Sequence, residues 1–173
     1  MNGSEFENQM DLASHLSKIP KYFVRGDGFV FFYEYNCPIM YHVAAICKKF
    51  KFYQFIEQNF GIDWHQRISR QLIPDDSIFI LNTGTMRYER LYVIECKFQQ
   101  VSGSADEKLT TCDFKRLEYQ RLLCGTGINV EFFFILGNWF MNPKYEDDLD
   151  YVTSHGCRYF FDNIPPHEFG LPE

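Results

Sequence analysis

Leu91-Tyr92-Val93-Ile94-Glu95-Cys96-Lys97-Phe98 is an apolar run that ends in a carboxylate and an ammonium two residues apart. Within Arg90–Gln99 (RLYVIECKFQ), the β-branched and aromatic content predicts a strand. Side chains alternate along a strand, so Leu91, Val93, Glu95 and Lys97 share one face and Tyr92, Ile94, Cys96 and Phe98 share the other. The second set is apolar and belongs in a core. The first set carries two charges at the end of a hydrophobic strand, where desolvation is costly unless they serve each other or a cation.

Working outward, Pro74-Asp75-Asp76 opens a shorter strand over Ser77–Leu81 (SIFIL), and Asn82-Thr83-Gly84 supplies turn residues before the charged strand begins. Two antiparallel strands joined by a loop are the simplest arrangement, with Asp75 at the mouth of the first. Downstream, Ser104 and Glu107 form a capping-box pattern for a helix running to about Leu123, ended by Gly125 and Gly127. Asn129–Leu136 (NVEFFFIL) is a nearly unbroken apolar run, which predicts a strand buried on both faces. A helix around Tyr145–Ser154 and a strand over Arg158–Phe161 follow.

Upstream, Phe29–Tyr35 (FVFFYEY) predicts a strand, and Met10–Lys18 a short helix ending before Pro20. From Tyr41 to Phe60 apolar residues recur at helical spacing up to Gly61, which predicts the first long helix. The order from Tyr41 is therefore helix, strand, strand, helix, strand, helix, strand: α/β with a mixed central sheet. The string Gly3-Ser4-Glu5-Phe6 reads as two cloning sites translated in tandem, so residues 1–8 are set aside as a cloning remnant and 9–173 are read as one domain.

Composition bounds the rest. With 173 residues, 46% hydrophobic and 18% aromatic, the chain can bury a dense core and does not fit a disordered class. No run of about 18 apolar residues exists to span a membrane, so no membrane partner is expected. Six scattered cysteines without a CxxC pair point to reduced thiols in a cytoplasmic, intracellular protein, with neither a zinc motif nor a disulfide framework. A net charge of −6 argues against coating nucleic acid by charge alone, yet leaves room for a local basic surface around an acidic pocket.

If the two central strands pair, Asp75 and Glu95 converge on one cation. Two carboxylates, a backbone carbonyl such as that of Cys96, and waters make a plausible magnesium shell, with Lys97 placed to orient or deprotonate a water. Asp76 rivals Asp75 for the same role; Asp75 is favoured because it follows the proline directly. Taken alone, an E-x-K strand end is more often a solvent-facing ion pair, and Pro-Asp a turn starter.

The longer pattern goes further. Pro74-Asp75 followed by Glu95-Cys96-Lys97, the string Ile94–Ser104, Glu107-Lys108-Leu109, Cys112-Asp113-Phe114-Lys115 and the tail from Trp139 to Pro165 resemble the PD-(D/E)xK nuclease superfamily, in particular its type II restriction-endonuclease-like group. The likeness runs from about Ile68 to Leu171; residues before Tyr41 match nothing comparable. The resemblance implies a restriction-endonuclease-like α-β-β-β-α-β core and Mg2+ dependence, with Mn2+ as a substitute. It also implies hydrolysis of double-stranded DNA to 5′-phosphate and 3′-hydroxyl ends, and a homodimer if the site is palindromic. Carried over by position, Asp75 and Glu95 are the metal-binding acids, Lys97 the motif lysine, and Glu57 the candidate for an acid from the first helix.

DNA contact would fall to Gln99 and Gln100 at the strand end, to Ser102, Ser104 and the backbone N–H groups opening the next helix, and to Lys108 and Lys115 along it. Arg70, with Arg67, lies just before the metal motif, and Lys48, Lys49 and Lys51 form a weaker second patch. Two rival functions remain: a structure-specific or repair nuclease such as a junction resolvase, and a non-catalytic DNA-binding or assembly module of the same fold.

Overall fold

The computed structural model describes residues 2–36, 39–100 and 106–173. The chain begins with α1 (Gly3–Gln9) and α2 (Leu12–Ser17), then the strands β1 (Tyr22–Val24), β2 (Phe29–Tyr33) and β3 (Met40–Ile46). After α3 (Lys51–Phe60) come β4 (Asp76–Asn82) and β5 (Arg87–Lys97), then α4 (Cys112–Leu122), β6 (Asn129–Leu136), α5 (Glu146–Ser154) and β7 (Arg158–Phe160). The seven strands lie in one sheet in chain order. The first five form an antiparallel meander; β6 then joins β5 in parallel, and β7 joins β6 in parallel. Parallel neighbours need a crossover, and α4 and α5 supply the two.

This is the expected α/β architecture, a mixed sheet flanked by helices. Two strands separate α3 from α4, and the third strand of the meander, β3, precedes α3.

One expected element was wrong. The helix read over Tyr41–Phe60 is a strand and a helix. The four residues Val43–Ile46 are all buried, because β3 is covered on both faces of the sheet, and an unbroken apolar run carries no period that separates strand from helix. Helical spacing is genuine only from Phe52 through Tyr53 and Ile56, and Gly61, at φ 65°, closes α3 where the sequence places it.

Both faces of β5 are in cores. Leu91 and Val93 pack with Phe52, Tyr119, Phe132 and Phe134 beneath α3 and α4. Tyr92 and Ile94 pack with Phe6, Leu16, Phe133 and Phe169 on the opposite side. The segment set aside as a cloning remnant is part of this second core. Asn2 caps α1 in a reciprocal capping box with Glu5, while Phe6 is 5% exposed and stacks on Phe98 at 5.2 Å. Among the described residues no helix is long and apolar enough to cross a membrane.

Candidate metal centre

Antiparallel register between β4 and β5 pairs Asp76 with Ile94, so the residue before it, Asp75, falls opposite Glu95. The two neighbouring aspartates point to different sides of the sheet. Asp76 shares the face of Ile94: it is buried and accepts the Leu12 N–H at the start of α2 (3.2 Å) and the Ser77 N–H (2.9 Å). Burial pushes its carboxyl up to about 7, against the opposing pull of Lys48. Asp75 turns instead to the charged end of β5, where its Oδ2 accepts the Cys96 N–H at 2.9 Å.

Glu95 has an 8% exposed side chain and three close contacts. Lys97 Nζ lies 2.8 Å from its Oε2, and Lys115 Nζ from α4 lies 2.6 and 2.7 Å from its two oxygens. Burial alone would raise the Glu95 carboxyl, but the two ammoniums outweigh it and hold the group below its ordinary range. Lys97 also reaches the Cys96 carbonyl at 3.4 Å. Asp75, Glu95, Lys97 and the Cys96 backbone therefore meet at one place. Behind them Tyr119 is buried, donates to the Leu72 carbonyl, and is held well above its ordinary pKa by burial first and then by its acidic neighbours, including Glu95 and Asp75.

Two further groups arrive that the motif does not contain. Lys49 Nζ bridges Asp75 (3.3 Å) and Glu7 of α1 (2.5 Å). Lys49 has a left-handed backbone, φ 50°, a conformation that costs a non-glycine residue about 1–2 kcal/mol. Nothing in the sequence singled out Glu7, since its segment was set aside, and Lys49 was read with Lys48 and Lys51 as part of a weaker basic patch for DNA, not as a partner of Asp75.

The other candidates are placed as follows. Glu57 is exposed on α3, in a depression lined by Tyr53, Trp64 and Gln71, and makes no described contact with Asp75 or Glu95. Lys115, expected to contact DNA from its helix, is turned onto Glu95. Gln99 lies two residues beyond the end of β5, in a pocket of about 620 Å3 with Phe98, Gln100 and Trp139, and both polar atoms of its amide are buried without a partner among the described residues. Lys108 and Arg70 are exposed. Arg67 is used structurally: it donates to the carbonyls of Leu122 and Cys124 and so closes the C-terminus of α4. Ser102 and Ser104, with the capping box that includes Ser104, lie outside the described residues. Burial pushes the Cys96 thiol up to about 12, so that side chain is for packing and only its backbone faces the site.

Beside Lys49, a groove of about 850 Å3 runs between α2, the β1–β2 turn and the start of α3. Lys18, Arg25, Lys48 and Lys51 line it with the exposed ring of Phe50. Arg25 pairs with Asp27 and Lys48 with Asp11, whereas Lys18 and Lys51 pair with no acid among the described residues.

Residues 67–137 match the family model of a PD-(D/E)XK nuclease superfamily domain. The matched stretch runs from before Asp75 to the end of β6, so it contains Asp75, Glu95, Lys97 and Lys115. The superfamily resemblance read from the sequence is borne out over that stretch, and the fold agrees with it. No curated protein and no solved structure gives a significant match to the chain.

PD-(D/E)XK nucleases generally use divalent metals, so the donors must be tested for fit. Among the described residues no cluster of three or more His, Cys, Asp or Glu side chains forms a complete protein cage. Two carboxylates and a carbonyl, all hard oxygen donors, suit instead an ion that keeps several waters and takes further oxygens from a phosphate, as Mg2+ does. Ammonium groups already occupy both oxygens of Glu95 and approach Asp75 and the Cys96 carbonyl, so the pocket is built around positive charge. The residues fit.

Proposed function

We propose that this chain is a divalent-metal-dependent endonuclease that hydrolyses phosphodiester bonds in double-stranded DNA in the manner of type II restriction enzymes. The observation that carries the reading is the meeting of Asp75, Glu95 and Lys97 around the Cys96 backbone at the end of a buried strand. Asp75, Glu95 and the Cys96 carbonyl would hold Mg2+, or Mn2+ in its place. A bound divalent ion supplies a polarised phosphoryl oxygen and a water of lowered pKa. The Cys96 N–H fixes the Asp75 carboxylate, and Lys97 and Lys115 hold Glu95 from two sides. Lys97, anchored to Glu95 and 15% exposed, presents an ammonium that orients the attacking water and balances charge gathering on the phosphate.

DNA would approach along the groove at Lys18 and Lys51 and the pocket at Gln99. An orphaned buried amide costs about 1–3 kcal/mol, and a phosphate oxygen or a base edge meeting the Gln99 side chain would recover it. Cutting at a palindromic site calls for two copies related by a twofold axis. We read α1 through β7 as one nuclease domain. The cytoplasm is the fitting compartment, since the five described cysteines are unpaired.

The test is incubation with plasmid and branched DNA in Mg2+. Discrete plasmid fragments are expected from the wild type. Preferential cutting of four-way junctions would replace the restriction reading with a resolvase, and no cutting of any substrate would leave a binding module. Lys97→Ala is expected to abolish cleavage while costing about 1 kcal/mol of stability, because Lys115 still neutralises Glu95. Full activity in that variant removes Lys97 from the reaction.

A further inference from the structure

Glu95 carries two ammonium partners where one would balance it. Lys97 lies 2.8 Å from Oε2, and Lys115 spans both oxygens at 2.6 and 2.7 Å. Around the site three carboxylates (Glu7, Asp75, Glu95) face three ammoniums (Lys49, Lys97, Lys115), so the charges balance without any metal. A divalent ion entering this cluster adds two charges and needs the oxygens that Lys115 occupies. Lys97 is held on the strand and also contacts the Cys96 carbonyl; Lys115 reaches in from a separate helix on a long, 23% exposed side chain.

Resting on the metal-nuclease reading above, we propose that Lys115 is the resident counter-cation of the metal-free site and that divalent metal binding displaces it from Glu95. Lys115 is thus a positioning residue. Beside Lys97 it adds a second ammonium that spans both oxygens of the buried Glu95 carboxylate and keeps it ordered in the absence of metal. Once released, its ammonium becomes a donor for a phosphate. The device sets the metal affinity: each ion that binds must outcompete a preformed charge-assisted contact.

The test uses Mg2+ alone, without DNA, in calorimetric titration and in thermal melts of wild type, Lys115→Met and Lys115→Arg. Lys115→Met should melt below wild type in chelator, regain the difference in Mg2+, and bind Mg2+ at least tenfold more tightly. Lys115→Arg keeps the competing charge and should bind Mg2+ no more tightly than wild type. Equal or weaker Mg2+ affinity in Lys115→Met overturns the proposal. If Lys115→Met folds only when Mg2+ is present, that linkage is itself the expected behaviour, and Lys115→Arg decides: affinity above wild type overturns the competition. Absence of Mg2+ binding by all three proteins sinks the metal-nuclease reading as well, whereas equal binding by wild type and Lys115→Met sinks only the role of Lys115.

Discussion

Replacing Asp76 with Asn tests whether the two adjacent aspartates do different work. The folded protein holds the Asp76 carboxyl at about 7, against 3.8 for an ordinary aspartate. The folded state therefore binds this proton more tightly than the unfolded one. Below about pH 4 both states are protonated and the group has no effect. As pH rises from there to about 7 the unfolded chain ionises first and stability falls, by up to roughly 4 kcal/mol, and above pH 7 the loss is complete and flat. Asn cannot ionise, so it escapes that loss. It also carries one acceptor where Asp76 accepts two N–H bonds, from Leu12 and Ser77, and the lost bond offsets about 1–3 kcal/mol. Asp76→Asn should therefore be less stable than wild type at pH 4 and more stable at pH 8. The assay is urea unfolding of both proteins across that range in chelator, so that no metal contributes. Other titrating groups cancel in the difference. Parallel stability curves for the two proteins would refute the assignment of Asp76 to the core. On the functional side Asp76→Asn should keep Mg2+ binding, which Asp75→Asn should lose.

Three further outcomes are expected. A methyl group on Gly28 would lie 2.2 Å from the Ile46 carbonyl oxygen on a backbone at φ 97°, so Gly28→Ala should cost on the order of 3 kcal/mol in urea unfolding; a loss under about 1 kcal/mol would contradict that packing. Phe6→Ala should cost about 3 kcal/mol, since it empties part of the second core and its stacking on Phe98, and an unchanged midpoint would show that α1 is not part of the folded unit. Removing Lys18 and Lys51 together should weaken duplex binding in chelator and lower the salt dependence of log K by about 1.8, whereas an unchanged slope would move the DNA path elsewhere.

What could be read from the sequence follows from where local rules and tertiary contacts agree. The β4–β5 pair, β6, and the positions of Asp75, Glu95 and Lys97 were legible, because alternation along β5 and the turn chemistry before it point the same way as the packing. β3 was not, because a strand covered on both faces loses its period. Lys115 illustrates a different limit. Helical spacing gives its place on α4, but only the crossover from β5 to β6 decides that this face of the helix looks down on Glu95. Glu7 and Lys49 meet Asp75 through long-range packing of α1 that no local pattern encodes. The separation of Asp75 from Asp76 needed the β4–β5 register, which a one-residue slip would have inverted.

The two outermost strands, β1 and β7, are only three residues long. An edge that short offers an incoming strand little to hydrogen-bond, which guards a sheet of this size against growing by side-on addition. If two copies assemble on DNA, edges this short disfavour the joining of their sheets into one continuous ribbon. Contact through helices or loops would then leave each candidate centre on its own sheet, with the distance between the two centres set by that contact.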